Sequence, residues 1–229
     1  MGERATIHLH PTAPLAPRVL LPGDPGRALA LAQALLSEPR MFNHNRGLWG
    51  YTGTAPDGQP LTIQATGMGG PSAAIVLTEL AALGARAALR VGTCGALRSE
   101  LALGDLVIAS AAICADGTSR ALGADGRADA DAGLTAALSA AAPDAPVGAI
   151  VTVDLFYDAS LPSADDALAV EMEAATLFTL GRSLGVAVGC ALVVSDTFGE
   201  GAGRARIDAD RLAAAGERMG RAAVEALSV

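Results

Sequence analysis

The chain has 229 residues, a formal net charge of -8 at pH 7, and 51% hydrophobic but only 3% aromatic residues. The acidic balance argues against nucleic-acid binding, which needs a basic footprint. All sixteen basic residues are Arg, so Schiff-base lysines and the Walker lysine are excluded, and any bound anion must be held by Arg, backbone N–H groups or hydroxyls.

The length fits a single domain spanning 1–229, large enough to bury a core of Ala, Val, Leu and Ile without staples. The three cysteines (Cys94, Cys114, Cys190) are odd in number and widely spaced. They suit a reducing compartment and supply no metal-ligand pattern. The opening Met-Gly-Glu-Arg-Ala-Thr fits the loose myristoylation pattern but has no polybasic partner signal. With no signal sequence or membrane-length apolar run, the expected location is the cytoplasm.

In chain order, apolar runs at 18–21, 48–54, 61–65, 87–91, 105–112, 147–153 and 190–194 predict strands. Those at 18–21, 61–65, 87–91 and 190–194 run into Gly or polar turns and are nearly continuous, which implies a sheet covered on both faces. Helices are expected at 26–36, 71–83, 131–142, 172–184 and 209–227, several with Pro at the start and Gly at the end. The alternation predicts an α/β fold with a largely parallel sheet. The segment 115–131 reads as a surface loop. In such folds ligands gather beyond the carboxyl ends of the strands.

Those ends carry the chemistry. In Pro22-Gly23-Asp24-Pro25-Gly26-Arg27, Arg27 sits in the first helical turn, where an anion would compensate it; a tight turn with a solvated Arg is the alternative. Gly67-Met68-Gly69-Gly70 reads equally as an anion cradle or as close packing, and it lacks the dinucleotide and Walker spacings. Arg90 ends an apolar strand and needs a partner, either an anion or a structural carboxylate. Thr93 adds a hydroxyl, and Gly92 and Gly95 permit close backbone approach. Glu171 and Glu173 open a helix but cannot share one helical face, so one caps while the other is free for ligand hydroxyls. Asp196, after Ser195, closes a buried strand, a costly place unless it is paired or functional. Gly181-Arg182-Ser183-Leu184-Gly185 fits the serine-hydrolase expression, but it runs from helix to strand, the reverse of a nucleophile elbow.

Together and in order, LPGDPGRA (21–28), NRGLWGYTGT (45–54), ATGMGGPSAAI (65–75), LRVGTCGAL (89–97), GDLVIA (104–109), VEMEAATLF (170–178) and VVSDTF (193–198) resemble the nucleoside phosphorylase family of bacterial hexameric purine nucleoside phosphorylase and uridine phosphorylase. The resemblance implies a three-layer α/β/α fold around a mixed, partly barrel-like sheet, and a pentosyltransferase of purine salvage. It implies a homo-oligomer with a dimer as the minimal unit, often a hexamer. Phosphate would be held by Gly23, Arg27, Arg90 and Thr93, with Arg46 from a neighbouring subunit. Ribose would be held by Met68, Met172, Glu173 and the neighbour's His8, and the base by Cys94, Gly95, Phe156, Val170, Glu171 and Ser195. Asp196 would protonate the leaving base with help from Arg211, Arg204 and Arg206 being competitors. Nucleoside and inorganic phosphate are the implied partners, with no cofactor and no metal. The short segment after Phe156-Tyr157, without Gln or Arg, and the presence of Asp196 favour a purine over uridine. A nucleosidase of the same fold is the rival reading, disfavoured by Arg27, Arg46 and Arg90.

Overall fold

The computed structural model describes residues 6–157, 166–198 and 203–228. Strand β1 (Arg18–Leu21) turns through Gly23 into helix α1 (Pro25–Leu35), whose N-cap Asp24 accepts the Arg27 N–H. The strands β2 (Ser37–Asn43), β3 (Gly50–Thr54) and β4 (Pro60–Gln64) follow, and then helix α2 (Gly70–Leu83). The long β5 (Ala87–Ala96) and β6 (Leu106–Ala115) precede α3 (Gly117–Ala121), β7 (Arg127–Asp129), α4 (Ala132–Ala141) and β8 (Val147–Val153). The last part comprises β9 (Ala169–Glu171), α5 (Ala174–Leu184), β10 (Ala187–Phe198), β11 (Arg204–Arg206) and α6 (Ala209–Ala226).

All the strands join one sheet, ordered β11-β10-β6-β8-β9-β5-β1-β4-β3-β2, with β7 on β6. Because β10 pairs with β5 as well as β6, the strands β5, β10, β6, β8 and β9 close into a five-stranded barrel. The sheet is mixed rather than largely parallel: five strand pairs are parallel and six antiparallel. The antiparallel pairs come mainly from short connections that sequence alternation does not register: the β2-β3-β4 meander, β7 against β6, and the β10-β11 hairpin. The expected loop at 115–131 carries α3 and β7, both too short to show a period.

Alternation along the strands feeds two apolar layers, as period-2 geometry requires. Val19 and Leu21 with Val188, Cys190, Leu192 and Val194 pack under α2 and α5. Leu20, Leu89, Val91 and Val193 pack instead against α1, α4 and α6, where Leu31, Leu138 and Met219 meet. Helices therefore cover both faces, which gives the three-layer α/β/α arrangement. Gly189 and Gly220 are two points of close approach. A Cβ on Gly189 would stand 2.6 Å from Leu89 Cδ2, and one on Gly220 the same distance from Leu31 Cδ2. No helix among the described residues is long and apolar enough to cross a membrane.

This topology positions the site. β1 is parallel to β4 and to β5, and β5 to β10, so their carboxyl ends lie on one side. The turns after β1 and β4 are stitched together there. Thr66 N–H donates to the Pro22 carbonyl at 2.9 Å and Gly67 N–H to the Gly23 carbonyl at 3.0 Å. Gly67 and Gly69 hold φ of +76° and +86°, backbone that an L side chain resists.

Candidate active site

β5 does not end at Val91. Pairing with β10 on one edge and β9 on the other carries it through Gly92-Thr93-Cys94-Gly95, so the expected turn is strand. The glycines in it serve side chains of the protein. A Cβ on Gly92 would sit 2.8 Å from the Arg90 guanidinium, and one on Gly95 2.9 Å from the Phe198 ring. Gly92 thus clears the face along which Arg90, two residues earlier, lies.

Arg90 is 3% exposed and doubly paired. Its Nε stands 2.8 Å from Glu171 Oε2, and its Nη2 2.5 Å from Glu173 Oε2. Burial lowers its pKa, but Glu173 and Glu171 outweigh this and raise it above the usual arginine value. Glu171 ends β9 and is buried. It accepts from Thr152 Oγ1 (2.5 Å) and from the Glu173 and Ala174 N–H groups (2.8 and 3.0 Å), which caps α5. Burial pushes its carboxyl upward, opposed by Arg90 and reinforced by Glu173. α5 begins at Ala174, not 172, so the backbone from Glu171 to Glu173 is not helical. That is how two carboxylates two residues apart reach one arginine. The oxygens of Glu171, assigned to the base pocket from the resemblance, are occupied here by protein donors and by Arg90.

Glu173 faces outward from this anchor. Its Oε1 accepts the Gly69 N–H at 2.5 Å, which joins the glycine turn after β4 to the start of α5. Arg27 completes the cluster. Burial lowers its pKa from the usual arginine value and Arg90 lowers it further, while Asp24 and Glu173 oppose. Arg27 stands in the first turn of α1 beside the glycine turns, a position where an anion is favoured. Arg46 is exposed at φ +57° and is not among the charged groups acting on Arg27. His8 lies apart as well, its Nδ1 2.9 Å from Glu79 Oε1. Three backbone N–H groups, of Ile7, His8 and Leu9, also donate to Glu79. Met68 is 87% exposed next to Gly69, and Met172 is half-buried.

A second cluster stands at the end of β10. Pairing with β5 shifts register between Val194 and Asp196, a bulge at Ser195. Bulges re-aim side chains, and here two successive residues that would point to opposite faces are hydrogen-bonded. Ser195 Oγ donates to Asp196 Oδ2 at 2.7 Å and approaches the Cys94 carbonyl at 3.2 Å. Asp196 is 3% exposed. Its other oxygen, Oδ1, accepts from Arg204 Nε at 2.9 Å, and Arg206 Nη1 stands 3.8 Å away. The Arg204 guanidinium lies over the Phe156 ring, 4.2 Å from its centroid, and 5.8 Å from that of Phe198. Gly95 backs onto Phe198 and Val170.

The arginine preferred for Asp196 on sequence is Arg211; the arginine paired with Asp196 in the structure is its competitor Arg204. Arg211 starts α6, donates to the Leu103 carbonyl at 3.0 Å, and lines a cavity of about 850 Å³ beyond Phe198. The β10-β11 pairing places Arg206 opposite Asp196 and Arg204 opposite Phe198, so the hairpin arginines arrive first. The alternating Arg204-Ala205-Arg206 was the available signal. Phe198, two residues past Asp196 on the same strand, was not assigned from sequence either. Cys94 and Cys190 are buried with their thiols pushed well up by desolvation, so neither is an activated nucleophile. Among the described residues no cluster of His, Cys, Asp and Glu could hold a metal ion.

Comparison with known proteins places the chain in a family. The family model described as the phosphorylase superfamily matches residues 17–228. The chain is 38% identical over 200 residues to a DeoD-type purine nucleoside phosphorylase of Clostridium novyi, covering 80% of this chain and 83% of that one. It is 39% identical over 186 residues to a guanosine phosphorylase of Halorubrum lacusprofundi, covering 76% of each. It is 39% identical over 197 residues to a uridine phosphorylase of Treponema pallidum, covering 77% and 76%. Among solved structures, a uridine phosphorylase from Vibrio fischeri in complex with 6-hydroxy-1-naphthoic acid superposes with a TM-score of 0.80 at 26% identity. That match covers 93% of this chain and 92% of the other. The chain belongs to the phosphorylase superfamily, as an enzyme of its nucleoside phosphorylase family and hence a pentosyltransferase.

Proposed function

We propose that the enzyme cleaves purine nucleosides by phosphorolysis, giving the free base and (deoxy)ribose 1-phosphate. The observation that carries this reading is the pairing of two clusters at the carboxyl ends of adjacent parallel strands. One centres on Arg27 and Arg90, with Glu173 between Arg90 and the Gly69 turn. The other holds the carboxyl of Asp196 beside an aromatic slot.

Cleaving an N-glycosidic bond leaves positive character on the sugar and negative charge on the departing base. Phosphate is already an anionic nucleophile, so the protein has to position it rather than deprotonate it. Arg27, with the Gly23 turn and Thr93, holds the phosphate from one side. Arg90, fixed by Glu171, fills the other side, and permanently charged guanidinium forks suit phosphate geometry. Glu173 accepts from the 2′- and 3′-hydroxyls, with Met68 and Met172 against the sugar. Asp196 supplies the proton to the base, which rests among Cys94, Gly95, Phe156, Val170 and Ser195. Arg46 and His8 lie outside both clusters, and we assign them to the site of a neighbouring subunit in a dimer-based homo-oligomer. Retention of both phosphate arginines favours phosphorolysis over hydrolysis, and Asp196 favours a purine over uridine.

The phosphate half is tested by replacing Arg27. A hydrogen bond from a charged donor contributes about 1.5–3 kcal/mol, so Arg27→Ala is expected to raise the KM for phosphate by about 10- to 150-fold. The KM for the nucleoside should change little. An equal rise in both constants would contradict a phosphate role for Arg27.

A further inference from the structure

Asp196 alone does not distinguish one purine from another. Adenine, hypoxanthine and guanine all present N7 as an acceptor on the edge that meets a proton donor. They differ one atom along, where adenine carries an amino donor and the other two a carbonyl acceptor.

The residue placed to read that difference is Arg204. Its Nε is held on Asp196 Oδ1 at 2.9 Å, and its guanidinium is steadied over Phe156 at 4.2 Å with Phe198 on its flank. Only one of its donor groups is spent on the carboxylate. Among the described residues, its two terminal nitrogens donate to no other protein group. The β10-β11 register sets Arg204 opposite Phe198 at the rim of the aromatic slot, where its side chain is 32% exposed.

We propose that Arg204 is a specificity-determining residue that selects 6-oxopurine nucleosides (inosine and guanosine) over adenosine. The inference rests on the purine phosphorolysis proposed above. A base whose N7 meets Asp196 sets its 6-substituent beside the group already bonded to that carboxylate. Arginine has donors and no acceptor. A 6-carbonyl completes the fork, whereas a 6-amino group opposes donor to donor and forces one group to lose its partner on burial. Ser195 donates to Asp196 Oδ2, the carboxylate oxygen that Arg204 does not hold.

The experiment is a comparison of kcat/KM for inosine, adenosine and uridine, each with saturating phosphate, in the wild-type enzyme and in Arg204→Met. A well-formed arginine contact to a base discriminates by about 10- to 100-fold, and the wild type is expected to favour inosine over adenosine by that factor. Arg204→Met should bring the two purines close to parity, chiefly by loss on inosine. If Arg204 merely supports Asp196, both purines will fall together and the ratio will stay, which overturns the proposal. A wild type that prefers adenosine overturns it equally. Should the Met variant fail to fold, Arg204→Gln, which is shorter but polar and offers an acceptor, should raise adenosine relative to inosine. Turnover of uridine with none of either purine would overturn the purine reading itself, and Arg204's role with it. Purine turnover with an unchanged ratio removes the role of Arg204 alone.

Discussion

Replacing Asp196 with Asn is expected to lower kcat for purine nucleosides by about 10²–10⁴-fold, the usual contribution of a positioned general acid. The amide keeps the volume, can still accept from Arg204 and can meet the Ser195 hydroxyl, so packing at the end of β10 should survive. It cannot deliver a proton to the departing base. Binding should therefore persist while turnover falls, a loss in kcat with little change in the dissociation constant. Calorimetric titration of the nucleoside beside an initial-rate assay separates the two. Full turnover in the Asn variant would mean that the base departs without Asp196, and a loss of binding equal to the loss of rate would assign Asp196 to recognition.

The second large effect concerns the interior. Arg90→Met should destabilise the fold by about 3–5 kcal/mol, the cost of removing one partner from a buried ion pair. Met fills much of the volume left along Gly92, so the loss is electrostatic rather than a cavity. Glu171 and Glu173 would be left facing each other with no cation between them. At about 2–4 °C per kcal/mol for a chain of this size, the melting temperature should drop by roughly 6–20 °C. The deficit has a pH signature. Without Arg90 the Glu171 carboxyl, already pushed up by burial, rises further above its unfolded value of about 4.3. A raised carboxylate pKa costs stability at neutral pH and stops costing it once the group is protonated in both states. The gap between variant and wild type should therefore narrow as pH falls from 7 toward 4. Arg90→Met combined with Glu171→Gln should recover part of the loss. A variant as stable as wild type at pH 7 would mean that the Arg90 pairs contribute nothing net.

Much of the fold was legible in the residues because its central strands are buried on both faces. β1 and β8 fall on the predicted residues, and each of the five long helices begins and ends within about two residues of its predicted position. The unread elements share a physical reason. β2 is almost wholly exposed and contains Pro39, so it shows no alternation. The three-residue β9 exists only because β5 and β8 are brought to either side of it. Gly92-Thr93-Cys94-Gly95 has the composition of a turn and the environment of a central strand, and barrel closure decides between them.

The candidate site was legible in its charged groups and not in their partners. Arg27, Arg90, Glu173 and Asp196 stand out as charges at the ends of apolar runs. That Glu171 anchors Arg90 follows from the non-helical backbone before α5, and the choice of Arg204 over Arg211 follows from a hairpin register. Neither is a local property of the chain.

The central claim is that inorganic phosphate is the nucleophile. It is tested most directly by following inosine cleavage in phosphate-free buffer and again with phosphate added. The account predicts base release that is negligible without phosphate and saturates with it, yielding one ribose 1-phosphate for each base. Undiminished release in phosphate-free buffer, with free ribose as the product, would contradict it and make the enzyme a hydrolase on the same scaffold.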